Sequence, residues 1–197
     1  MIGTTTRTLL AITLTTLAHG FGTFNVQAKS SEPLGACERE MIRASRQFSV
    51  PLEVLYSVAM TESSRKGKLQ PFALNIEGKA YFASTAQEAM DVFRSARARG
   101  AKLIDLGCMQ INHHYHGHKF KSPDEMLIAA RNVDYAASFL KELFAREGNW
   151  TAAVGRYHAG PSNHPAQKRY VCSVISNMVS TGLGAWTPAA MDFCGKR

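Results

Sequence analysis

The chain has 197 residues, with 23 Lys and Arg against 15 Asp and Glu and a formal net charge of +8. Its length allows one domain rather than two, and no repeat, low-complexity tract or second apolar span breaks it up. An excess of base suits an acidic polymer or surface, though solubility alone would also account for it.

The N-terminal stretch has Arg7, an apolar run from Leu9 to Ala18, and a polar segment ending Val26-Gln27-Ala28. This is the layout of a secretory signal with small residues before the cut, so residues 1–28 are expected to be removed. The apolar run is about ten residues long, whereas a stable span wants roughly twenty. No stable membrane span is therefore expected; an uncleaved anchor would leave the same domain tethered outside. Export implies a periplasmic location and makes nucleic acid an unexpected partner.

From Cys37 to Phe48 apolar and polar residues alternate at helical period, and Pro51 is placed for the first position of a second helix. On that helix Leu55, Val58, Ala59 and Glu62 share one face, so a carboxylate ends an apolar stripe. Phe72, Leu74 and Ile76, the turn Glu77-Gly78, and Ala80-Tyr81-Phe82 read as a short hairpin within residues 71–82. Ser84 with Gln87 reads as a capping box for a helix running to Gly100, followed by an extended piece from Lys102 to Leu106.

Ser122-Pro123-Asp124-Glu125 reads as the next helix start, with periodicity continuing through Val133, Ala137, Leu140 and Phe144 to Gly148. Asn149 is placed to cap a helix over Trp150 to His158, stopped by Gly160-Pro161. After Pro165 one more helix carries Tyr170, Val174, Ile175 and Met178, and residues 181–197 form a tail holding Cys194. The expected fold is all-α with one small β-hairpin excursion, over a domain spanning residues 29–180.

Four cysteines, Cys37, Cys108, Cys172 and Cys194, in an exported chain make disulfides the default. None forms a Cys-x-x-Cys pair, and the residues alone leave three connectivities open.

Three segments carry chemistry. In Thr61-Glu62-Ser63-Ser64, a carboxylate on an apolar helix face retains its proton more readily than one in water, which suits a general acid; a helix-terminal Glu pointing into solvent is the alternative. In Gly107-Cys108-Met109-Gln110-Ile111-Asn112, the two amides offer donor and acceptor pairs for sugar hydroxyls and acetamido groups. In Arg156-Tyr157-His158-Ala159-Gly160, a phenol and an imidazole reach a Gly-Pro turn, where Tyr157 either bonds the acid or substrate or simply packs.

Together these segments resemble the soluble lytic transglycosylase (SLT) domain family, whose motifs Glu-Ser, Gly-Leu-Met-Gln and Ala-Tyr-Asn-Ala-Gly occur in this order. The resemblance covers roughly Cys37 to Val174 and runs nearest to the small transglycosylases that accompany flagellar, secretion and conjugation machines. It implies a lysozyme-like α+β fold and a peptidoglycan glycan strand as partner. Glu62 would be the catalytic acid, with Ser63, Met109, Gln110, Asn112, Tyr157 and His158 as substrate-binding or acid-supporting residues. The product would be a 1,6-anhydro sugar, with the substrate's acetamido group as internal nucleophile and no enzymic nucleophile required; a hydrolytic muramidase of the same fold and an idle peptidoglycan-binding module are the competing readings.

Cys108 stands where the family has Leu, and His158 where it has Asn, which puts a group able to titrate near neutral pH in that loop. The segment between Glu62 and Gly107 is longer than in the generic domain. The resemblance also favours pairing Cys37 with Cys108 and Cys172 with Cys194. His113, His114, His116 and His118 crowd a short loop, but their spacing preorganises no metal site; neither metal nor cofactor is expected, and His116 is a candidate cleft residue.

Overall fold

The computed structural model describes residues 34–196, so the expected signal over residues 1–28 lies outside the described residues. The elements in order are α1 (Ala36–Phe48), α2 (Leu52–Ser63), β1 (Ser64–Arg65), β2 (Lys68–Leu69), β3 (Ala73–Ile76), β4 (Lys79–Phe82), α3 (Ala86–Ala98), β5 (Ile104–Leu106), β6 (Ile111–Asn112), α4 (His113–His116), α5 (Ala129–Glu147), α6 (Trp150–Ala159), α7 (His164–Ser180) and α8 (Pro188–Cys194). Helix thus dominates and the strands are short, as in a lysozyme-like α+β domain.

α5 packs against α1 and α6, α7 packs against α6 and α2, and α5 carries Val133, Ala136, Ala137 and Leu140 fully buried on one face. Cys37, Met41 and Ala44 of α1 and Leu55, Val58 and Ala59 of α2 are equally buried, at the spacing their sequence predicts. Burying each large aliphatic side chain contributes about 1.5–3 kcal/mol, so this seam of side chains fixes which face of α2 turns inward.

The hairpin forms as read, with Ala73 opposite Phe82 and Ile76 opposite Lys79. Its turn residues Glu77 and Gly78 have φ of 50° and 91°, the left-handed geometry of a two-residue hairpin loop. The sheet is larger than the hairpin: β5 pairs with β3 and β6 with β5, giving the antiparallel order β4-β3-β5-β6. The added strands are two or three residues long, too short to show an alternating pattern. A separate two-stranded ribbon, β1-β2, follows α2 directly.

Several boundaries differ from expectation. Pro51 caps α2 rather than opening it. The capping box of α3 sits one residue later than Ser84 and Gln87: Thr85 accepts from the Glu88 amide, and the Glu88 carboxylate reaches back to the Ser84 amide. An ionised carboxylate is the stronger acceptor, and Gln87 instead bonds Asp91. Ser122-Pro123 opens only a 3-10 turn, Glu125–Leu127, and the chain is extended at Ile128 before α5 begins. The interruption leaves the Met126 carbonyl to the Asn132 side chain rather than to a continuing helix. The tail carries a further helix, α8, started by Thr187 and Pro188.

Disulfides join Cys37 to Cys108 and Cys172 to Cys194, the pairing favoured by the resemblance. The first ties α1 to the loop between β5 and β6; the second ties α8 to α7. Among the described residues, no helix is long and apolar enough to cross a membrane.

Candidate active site

Glu62 lies in the last turn of α2, where the buried stripe of that helix runs out into a cleft of about 700 Å³. Its side chain is 15 % exposed. The Tyr170 hydroxyl from α7 donates to Glu62 Oε1 at 2.5 Å, and no donor is bonded to Oε2 among the described residues. Burial and the adjacent carboxylate push the Tyr170 phenol well above its ordinary range, so the hydroxyl remains a donor. His158 stacks on the Tyr170 ring, with centroids 4.2 Å apart and planes 2° from parallel. Its Nδ1 is 3.9 Å from Glu62 Oε1 and its side chain is 49 % exposed, so it touches the cleft and solvent together.

The loop Gly107–Gln110 forms the floor, held from three sides. Ser63 Oγ donates to the Cys108 carbonyl at 2.7 Å, the Tyr157 hydroxyl donates to the Met109 carbonyl at 2.7 Å, and Asn132 Oδ1 accepts from the Met109 amide at 2.8 Å. Asn132 is fully buried, and its Nδ2 also donates to the carbonyls of Leu106 and Met126. Gly107 turns at φ 81° against this amide, where a Cβ would come within 2.6 Å of Asn132 Nδ2. Gln110 adopts φ 45°, unusual for a residue with a side chain, and its Nε2 holds the carbonyls of Gly107 and Ala73.

Of the residues expected to bind substrate, Gln110, Asn112, Tyr157 and His158 line the cleft with Glu62. Ser63 and Met109 do not: they are 1 % and 0 % exposed, and packing leaves neither side chain a surface for a sugar. Their part in the site is to seat the floor. Asn112 is committed on both ends, its Oδ1 capping α4 through the amides of His114 and Tyr115 and its Nδ2 donating to Asp105 Oδ1 at 2.7 Å. Tyr157 bonds the floor rather than the acid; the phenol on Glu62 is Tyr170.

Three residues of the site carried no sequence signal read as such: Tyr170, Asn132 and Asp105. An amide beside Val133 on an apolar helix face was the available clue to Asn132. Asp105, on β5, lines the cleft with Glu62; desolvation and the nearby Glu62 charge push its carboxyl up to about 6, against the Asn112 hydrogen bond and His158, which lower it.

Phe139 and His116 complete one wall. His116 Nδ1 pairs with the Tyr135 hydroxyl at 2.7 Å, and its ring packs on Tyr135 and Phe139. Burial lowers the affinity of His116 and His113 for a second proton. Among the described residues no group of three His, Cys, Asp or Glu is placed to hold a metal ion. A second groove, between the hairpin and α3, has its acids already engaged, Glu88 by Tyr81 and Asp91 by Arg94.

The family model described as Transglycosylase SLT domain matches residues 40–177. That span runs from α1 into α7 and contains every residue named in the cleft. No curated protein matches the chain, and no solved structure does.

Proposed function

The chain belongs to the transglycosylase SLT domain family, whose activity is of the lytic transglycosylase type on peptidoglycan, and from that premise we propose that Glu62 cleaves the bond between N-acetylmuramic acid and N-acetylglucosamine to leave 1,6-anhydro ends. The single observation that carries this reading is the largely buried Glu62 carboxyl, bonded at Oε1 by Tyr170 and lining a cleft of about 700 Å³.

Glu62 Oε2–H gives its proton to the glycosidic oxygen as the bond to C1 breaks and N-acetylglucosamine leaves. The acetamido oxygen of the muramyl residue bonds to C1, forming an oxazolinium. Glu62, now a carboxylate, takes the proton of the muramyl 6-hydroxyl as its oxygen attacks C1 and displaces the acetamido oxygen. Glu62 is protonated again and no water is consumed. Gln110 and His158 supply polar groups along the cleft, while Phe139 and His116 supply ring surface for a sugar face.

The two disulfides fit an extracellular or periplasmic enzyme, and the basic charge suits a wall polymer. We assign it to local opening of the wall for an envelope machine of the flagellar, secretion or conjugation kind, on the resemblance of its motifs.

The test is mass spectrometry of murein digested by the wild type and by Glu62→Gln. Anhydro-muramyl ends from the wild type and none from the variant are expected. Full activity in Glu62→Gln would remove Glu62 from the chemistry. Reducing muramyl ends in place of anhydro ends would favour the hydrolytic muramidase, a reading to which the second cleft carboxylate, Asp105, lends weight. Binding without any product would leave a wall-binding module.

A further inference from the structure

The four histidines that follow the cleft floor divide by direction. His113 and His116, three residues apart on α4, turn inward: His113 packs edge-on against Phe93 of α3 with ring centroids 4.9 Å apart, and His116 bonds the Tyr135 hydroxyl of α5 at 2.7 Å. These two bolt α4 to the body of the domain, and the Asn112 cap fixes its start. His114 and Tyr115 are left outside, and the 3-10 turn Gly117–Lys119 adds exposed His118 and Lys119. Tyr115 is 60 % exposed and also lines the cleft with Glu62, so this outer face adjoins the cleft.

That face is basic. No acid occurs from Leu106 to Pro123, and the charges acting on the two inward histidines are of one sign: after burial, Arg97 and His114 oppose a proton on His113, and His118 and Lys119 oppose one on His116. Among the described residues no hydrogen bond or ion pair engages the side chains of His114, His118 or Lys119. Imidazole N–H groups and an ammonium left without acids beside a polymer cleft are donors for anionic groups that the polymer carries. Murein carries such groups as the carboxylates of the peptide stems on its muramyl residues.

Resting on the reading of murein as substrate, we infer that the outer face of α4 and its 3-10 turn is a subsite for the peptide stem, whose carboxylates accept hydrogen bonds from His114, His118 and Lys119. Tyr115 marks where glycan gives way to peptide. The enzyme accordingly favours stem-bearing strands over denuded ones. The stem takes no part in bond breaking, and Glu62 handles both protons as before.

The test compares glycan strands bearing intact stems with the same strands stripped by an amidase, which leaves only the lactyl carboxylate. For the wild type, kcat/KM is expected to be about 10-fold higher on stem-bearing strands, through KM, and salt shrinks the preference. The preference disappears in the triple variant His114→Gln, His118→Gln, Lys119→Gln, and it disappears for the wild type when the stem carboxylates are amidated. A wild type that cuts both strands alike overturns the inference, as does a triple variant that keeps the wild-type ratio or a preference that survives amidation. A loss of equal size on stripped strands also overturns it, by moving the contact to the lactyl carboxylate.

Should the triple variant fail to fold, Lys119→Glu at one exposed position answers through the same ratio, which must fall below that of the wild type. Binding to the Glu62→Gln protein keeps this inference apart from the reaction. A Kd for stem-bearing strands no lower than for stripped ones overturns the stem subsite, whereas full activity in Glu62→Gln sinks the proposed chemistry and leaves the stem preference standing.

Discussion

The Tyr170 hydroxyl reaches Glu62 Oε1 at 2.5 Å across 108 residues of chain. Because α7 carries this donor, and because Asn177 on the same helix holds Thr61 Oγ1 at 2.9 Å, the last turn of α2 is aligned by a helix on the far side of the family motifs.

Tyr170→Phe keeps the ring stacked under His158 and deletes only the donor. A hydrogen bond to a charged group contributes about 1.5–3 kcal/mol, so a loss of roughly 10- to 100-fold in kcat is expected. Release of anhydro-muropeptides measures it. Wild-type turnover in the variant would show that Glu62 needs no support from α7.

Gly107→Ala separates crowding from conformation when set beside Gly148→Ala. Both glycines have left-handed φ, 81° and 76°, but a Cβ at 107 meets Asn132 Nδ2 and the Met126 carbonyl within 2.8 Å, whereas nothing lies within 4 Å at 148. Gly148→Ala is expected to cost about 1 kcal/mol and Gly107→Ala about 3 kcal/mol or more. Denaturant titration gives both values, and equal costs would mean that Asn132 yields without loss.

Asp105→Asn has an effect on stability whose sign follows from its raised pKa. The native carboxyl binds its proton up to about pH 6, against an ordinary 3.8. Between those values the unfolded chain ionises first, so stability falls as pH rises and the deficit is complete above about 6. The variant should therefore melt higher than the wild type at neutral pH, by on the order of 2 kcal/mol, and the gap should close below about pH 4. Scanning calorimetry across that window checks it; a variant less stable at neutral pH would contradict the sign.

Removing the disulfides one at a time should give unequal losses. The bridges close 71 and 22 residues of chain, and loop entropy assigns them about 4 and about 3 kcal/mol. Cys37→Ser with Cys108→Ser should also lower turnover, since it frees the cleft floor from α1. Cys172→Ser with Cys194→Ser should leave turnover unchanged, because it releases only α8. Equal effects on activity would deny the floor its dependence on the first bridge.

The long helices were legible because their burial repeats within the chain: Leu55, Val58 and Ala59 announce the face on which Glu62 ends, whereas α4 and α8 are too short to show such a repeat. The hairpin was legible from Glu77-Gly78, a local turn signal. Hydrogen-bond partnerships between distant residues were not. Tyr170 looks in sequence like any aromatic on an apolar face, and Asp105 sits in a strand too short to declare which way its side chains point. Motif proximity alone does not show that Ser63 and Met109 lie beneath the cleft rather than along it. Asn132 could have been singled out, since a polar side chain among buried neighbours must find its partners inside the fold.

The floor between Gly107 and Gln110 has its amide and carbonyls occupied by Ser63, Tyr157, Asn132 and Gln110 itself. A platform so fully subscribed offers a sugar shape more than adhesion, and leaves discrimination among glycans to rim positions such as His158. Variation at that rim can accumulate without unfolding the base on which it stands, so a library confined to it would retain folded members while its preference for wall chemistry drifts.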